Sequence, residues 1–150
     1  APFAGAESPD LFRRFHGLGL YRSDYDGSVN YMLYEKEGGF VWDDYYPGEY
    51  RSFAVVYPTI DGFIDTLAWE GYREALDDVR YATLMKQLAE QALAGDAPPA
   101  RRRARRALHD LATVEIWTCD LDALRQTLIG HILALTPPAG ARAGTTQEGR

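Results

Sequence analysis

The residues with the most chemical potential stand between two apolar runs, in the segment EKEGGFVWDDYYPGEYRS at positions 35–52. Trp42, Asp43, Asp44, Tyr45 and Tyr46 follow one another there, with Phe40, Tyr50 and Phe53 close by. An indole or phenol face stacks on the apolar face of a ring-shaped ligand, and a carboxylate accepts protons from its hydroxyls. Together they suit a polar, ring-faced molecule such as a sugar. Long irregular segments of this kind are uncommon in compact domains and are usually functional. Tyr34, Trp42, Asp43, Asp44 and Tyr57 are therefore the expected substrate-binding wall. The competing expectation is that the same rings pack inward and hold the loop down. Asp43 and Asp44 could also act as a general acid or base, but adjacent side chains point apart. No second carboxylate can be placed at the roughly 5 to 9 Å that glycosidase chemistry uses.

Other chemistries find little support in the chain. His16, His109 and His131 lie far apart in sequence, and Cys119 is the single cysteine, so no zinc cluster and no internal disulfide are expected. No P-loop, dinucleotide fingerprint, HExxH or GxSxG motif occurs. No cofactor and no metal are expected, and no catalytic residue is assigned.

The bulk numbers bound the rest. A chain of 150 residues, 46% hydrophobic, can bury one core and is too short for two full domains. The net charge of -6 is unevenly placed, with 8 Lys+Arg against 17 Asp+Glu in residues 1–100 and 8 against 5 thereafter. An acidic first part repels phosphate backbones, so no nucleic-acid partner is expected. The apolar runs are too short for a membrane span, and the first residues lack the basic start of a secretory signal. The start at Ala1 suggests a processed chain or a fragment.

The elements that must position the wall read as follows. Ser8-Pro9-Asp10 is a helix start with Ser8 as N-cap, carrying Leu11, Phe12 and Phe15 inward and Arg13, Arg14 and His16 outward, to end at Gly17 or Gly19. Residues 29–35 alternate as a strand covered on both faces, and FAVVY at 53–57 is a continuous apolar run of the parallel, buried kind, stopped by Pro58. Asp61-Gly62 marks a tight turn, and Asp65 or Thr66 caps a long helix. In that helix Trp69, Tyr72, Leu76 and Val79 give one buried stripe, and Glu70/Arg73 and Asp77/Arg80 sit at neighbour spacing. GDAPP at 95–99 ends it. A second helix follows with Arg101, Arg102, Arg103, Arg105 and Arg106 on a solvated face over Ala104, Leu108 and Leu111. A third begins after Asp120, with Leu121, Leu124, Leu128, Ile132 and Leu135 inward. The last residues, from 137, read as a disordered tail.

The ordered set Tyr25-Asp26-Gly27, Tyr31, Trp42, Tyr57-Pro58, Asp61-Gly62, Trp69-Glu70, Arg73, Asp77-Asp78 and Tyr81 resembles a C-terminal segment of proteins similar to glycoside hydrolase family 123, grouped around the domain of unknown function 4091. It spans about positions 8 to 94. The resemblance implies an α/β fold, a (β/α)8 TIM barrel of which residues 1–94 supply the last two strands and the closing helix, with a helical extension at 98–136 and the tail at 137–150. It further implies a carbohydrate substrate, a site built from loops after the strands, and a partner in the remainder of the barrel upstream of Ala1. Related hydrolases use an adjacent Asp-Glu pair on an earlier strand, assisted by the acetamido group of the substrate. No Asp-Glu dipeptide occurs here, so the pair is upstream of Ala1 or missing, and Ala68 stands where many relatives carry an arginine. The expectation is thus a sugar-binding wall within a glycoside hydrolase-like domain. The alternative is a non-catalytic carbohydrate-binding or structural interaction module.

Overall fold

The computed structural model describes residues 8–28, 33–34, 42 and 55–137. Helix α1 (Pro9–Arg14) starts as its sequence predicts, with the Leu11 N–H donating to Ser8 Oγ at 3.3 Å and Pro9 in the first turn. The chain does not stop at the glycines. It passes through a wide π-type turn, Phe15–Gly19, kinked at Gly17, into the short helix α2 (Leu20–Arg22).

Strand β1 (Val56–Pro58) pairs antiparallel with β2 (Phe63–Asp65), Tyr57 opposite Ile64. Thr59 N–H donates to Gly62 O at 2.7 Å across the turn that Asp61-Gly62 foretells. Thr66 caps the next helix, accepting from the Trp69 N–H (3.2 Å) and donating its hydroxyl to Val55 O. That helix, α3, runs Leu67–Ala94, followed by α4 (Pro98–Thr113) and α5 (Leu121–Leu135).

The expected fold class is overturned. Of the described residues 68% are helical and 7% extended, and the sheet is one two-stranded antiparallel hairpin, not the closing strands of a (β/α)8 barrel. The physical reason lies in the turn. Only residues 59–62 separate the two strands, whereas a parallel pair needs a crossover of a dozen residues or more. An apolar run bounded by Asp-Gly is the mark of a hairpin as much as of a barrel strand. Of the strand expected at 29–35, only residues 33–34 are described. There Leu33 O accepts the Val55 N–H at 2.9 Å, and Tyr34 makes an isolated bridge. The tail beyond residue 137 lies outside the described residues.

The chain divides into two compact units. The first comprises residues 1–80 and 115–121, the second residues 81–114 and 122–150. In the first unit Phe12, Val55 and Ala68 form a buried cluster with Trp69 and Tyr72 packed on it. Burying Phe12 alone contributes about 1.5 to 3 kcal/mol.

The inward stripe of α3 differs from the sequence reading by one residue. The buried positions are Ala68, Gly71, Ala75 and Asp78, continued in the second unit by Ala82, Met85 and Ala89. Trp69, Tyr72 and Val79 sit half-buried on its flank, and Leu76 is exposed. Small residues win the inward face because other backbone comes close there. A Cβ on Gly71 would stand 2.3 Å from Pro9 O and 2.7 Å from Pro9 Cα, closer than real atoms approach.

In the second unit Ala104, Ala107 and Leu111 of α4 and Leu124 and Leu128 of α5 are buried, and the arginines at 101–106 are exposed. His131 Nε2 on α5 lies 3.0 Å from Asp110 Oδ2 on α4, and the Arg125 guanidinium sits 5.8 Å over the Tyr81 ring. No helix of the described residues is long and apolar enough to cross a membrane.

Candidate functional site

Two of the five expected wall residues meet. Along β1 Val56 is buried and Tyr57 half-buried, and the Trp42 ring lies 5.2 Å from the Tyr57 ring at 40°. Trp42 is 61% exposed, so the pair presents an open, tilted corner of two π-faces. Tyr34 is half-buried beside the backbone that leads into β1. Asp43 and Asp44 lie outside the described residues.

The arginines assigned to the outer side of α1 are the main residues that the sequence reading missed. Arg13 is buried. Its Nε donates to Asp78 Oδ2 at 2.6 Å, and its Nη2 donates to Asp78 Oδ1 and Leu121 O at 3.2 Å each. A signal was present, because Asp78 falls in register with Ala68, Gly71 and Ala75 on the small-residue stripe and is thereby marked as buried and in need of a cation. Arg14 holds the turn at 115–119 from beneath, donating from Nη1 to Ile116 O and from Nη2 to Cys119 O at 2.8 Å. Cys119, half-buried, is packed in that turn with its thiol toward Ile116 O at 3.8 Å.

His16 is half-buried among Phe12, Phe15 and Tyr72, with ring centroids 5.1 to 5.4 Å away, and its Nδ1 lies 3.1 Å from Ser28 Oγ. Burial pushes its pKa below the ordinary 6.5, since the charged ring would lose its water. This is a satisfied core-edge histidine. Among the described residues no group of three or more His, Cys, Asp or Glu gathers to hold a metal ion.

The residues that carry the family resemblance lie mainly on α3 and after α2. Glu70/Arg73 and Asp77/Arg80 are exposed ladder pairs at 2.9 Å on α3, Asp78 is buried in its pair with Arg13, and Tyr25-Asp26-Gly27 forms an exposed stretch after α2. In comparisons with models of known protein families, with curated proteins and with solved structures, nothing matches this chain. What the geometry itself offers at Trp42 and Tyr57 is two adjoining rings, that of Trp42 open to solvent.

Proposed function

We propose that this chain is a carbohydrate-binding module of a carbohydrate-active protein, and that it takes its ligand on the Trp42–Tyr57 corner. The observation that carries the reading is a tryptophan left 61% exposed yet seated against a second ring. An exposed indole costs solvation without return unless a partner covers it, and the flat apolar face of a pyranose is such a partner. The ordered residues that resemble glycoside hydrolase family 123-like proteins point to the same class of ligand. The decisive experiment is affinity electrophoresis of the wild type and Trp42→Ala through gels containing soluble polysaccharides. Retardation of the wild type that disappears in the variant supports the module. Equal mobility of both proteins in every gel removes the corner from any site.

A second reading, a protein-interaction module, is favoured by one specific observation. The hairpin exposes Ile60, Phe63 and Ile64, with Leu67 just beyond, and all of β2 is open to solvent. An exposed apolar edge strand is a pairing surface for another polypeptide. Sedimentation velocity of the wild type and an Ile60→Ser/Phe63→Ser double variant separates the readings. Association that the double variant abolishes supports it.

A further inference from the structure

The two units carry opposite charge. Residues 1–80 and 115–121 hold 7 Lys+Arg against 17 Asp+Glu, whereas residues 81–114 and 122–150 hold 9 against 5. The positive excess is concentrated on α4, and the most apolar exposed surface of the negative unit is the β1–β2 hairpin. We propose that the hairpin of one copy of this chain docks on the arginine face of α4 in a second copy. The proposal rests on the reading of the hairpin as a protein-interaction surface and names its partner.

The hairpin selects a cationic partner with apolar stems. Ile60 is 99% exposed and Phe63 64%, with Ile64 and Leu67 open beside them, so this surface favours an apolar cover. Asp61 and Asp65 stand exposed among these side chains, and no Lys or Arg occurs from residue 53 to residue 72. A purely apolar partner would take water from both carboxylates and give nothing in its place. The same hairpin of a second copy would gather the carboxylates of both copies, and like charges across an interface oppose association. Arginine meets both demands. Its aliphatic stem lies along apolar surface, and its guanidinium donates to a carboxylate as a fork or lies over a ring such as that of Phe63.

Helix α4 has the complementary surplus. Arg101, Arg102, Arg103, Arg105 and Arg106 are all exposed, while Ala104, Ala107 and Leu111 are buried on the opposite side. No Asp or Glu occurs from Pro98 to His109, and the first carboxylate beyond, Asp110, lies 3.5 Å from Arg106 Nε. Arg101 and Arg105, like Arg102 and Arg106, stand four residues apart, where like charges repel along a helix. The run begins within about one turn of the helix start, the end at which the dipole disfavours cations, and that turn holds no acidic residue. Carboxylates from outside relieve this repulsion. A nucleic acid would also supply negative charge, but the acidic first unit repels it, whereas between two copies that same unit is what attracts. Hairpin on α4 joins different surfaces of the two copies, so the contact is heterologous.

The test is sedimentation velocity of the full chain at about 50 and about 500 mM salt, for the wild type, Ile60→Ser/Phe63→Ser and Arg102→Glu/Arg105→Glu. The wild type should associate, about tenfold more weakly at the higher salt, and each variant alone should be monomeric. An equimolar mixture of the two variants should restore a dimer and nothing larger, because one brings an intact α4 and the other an intact hairpin. All four substituted side chains are exposed. Asp61→Asn/Asp65→Asn, which keeps shape and removes only charge, should also dissociate the copies and carries the test should another variant fail to fold. A wild type that stays monomeric at the lower salt overturns the proposal, as does a mixture that stays monomeric. Association lost in the hairpin variant but kept in the arginine variant overturns this partner and leaves the hairpin an interaction surface; association kept in the hairpin variant removes the hairpin itself. A monomeric wild type that shifts an RNA duplex through the same arginines assigns the face to nucleic acid and overturns the proposal as well.

Discussion

Asp78→Ala is the most informative single change in this chain. Asp78 is 2% exposed and Arg13 8%, and the carboxylate takes two donors of the guanidinium at 2.6 and 3.2 Å. Removing the carboxylate takes two charge-assisted hydrogen bonds from a buried guanidinium that also donates to Leu121 O at 3.2 Å. Breaking such a pair from one side costs about 3 to 5 kcal/mol, against about 0 to 1 for a surface pair such as Glu70–Arg73. At about 2 to 4 °C per kcal/mol for a chain of this size, the melting temperature should fall by about 6 to 20 °C. The assay is favourable, because Trp42, Trp69 and Trp117 all belong to the first unit, and indole fluorescence therefore reports that unit alone. Arg13→Met combined with Asp78→Leu should recover most of the loss, since two apolar side chains of similar volume need no solvation. A loss below about 1 kcal/mol in Asp78→Ala would refute the argument, for the pair would then behave as a hydrated surface contact.

Four further outcomes are expected. Gly71→Ala should destabilise, because the new Cβ strikes Pro9 backbone that cannot move aside cheaply, while Gly130→Ala, with open space around it inside α5, should stabilise by about 1 kcal/mol; urea titrations followed by circular dichroism compare the two. Phe12→Ala should cost about 3 to 5 kcal/mol by emptying the cluster with Val55 and Ala68, measured by the same fluorescence transition. For His16, burial lowers the folded pKa, so the unfolded chain takes the proton first and stability is lost as pH falls from 6.5 toward that lowered value. His16→Gln should flatten this part of the stability profile.

Local signals in the chain were legible where one residue type has one physical use. Ser8-Pro9 starts α1, Thr66 caps α3, Asp61-Gly62 turns, Gly95 follows the end of α3, and the two prolines open α4. What could not be read was which neighbour each element meets. The run at 53–57 is equally apolar in a hairpin or a barrel, and the three residues of β2 carry too few alternations to announce a strand. On α3 the large residues Trp69, Tyr72, Leu76 and Val79 dominate any hydrophobicity reading, yet close backbone approach selects the smaller set one step away. Leu11, Phe12 and Phe15 define the apolar side of α1 and leave Arg13 outward, and its buried partner Asp78 lies 65 positions away. Of the candidate wall, the contact of Trp42 with Tyr57 is a tertiary fact joining positions fifteen residues apart, and no spacing rule encodes it.

The small-residue stripe of α3 has one consequence for the uniqueness of the fold. Ala68, Gly71, Ala75, Asp78, Ala82, Met85 and Ala89 recur at alternate steps of three and four, the repeat by which one helix can be displaced along its neighbour with little change in outline. Alanines carry almost no shape by which to tell one such placement from the next. Two positions in the first unit break this degeneracy: Gly71, where a Cβ would strike the Pro9 backbone, and Asp78, whose carboxylate pairs with Arg13. They act as address marks, and the compensated pair Arg13→Met/Asp78→Leu would erase one of the two while keeping most of the stability.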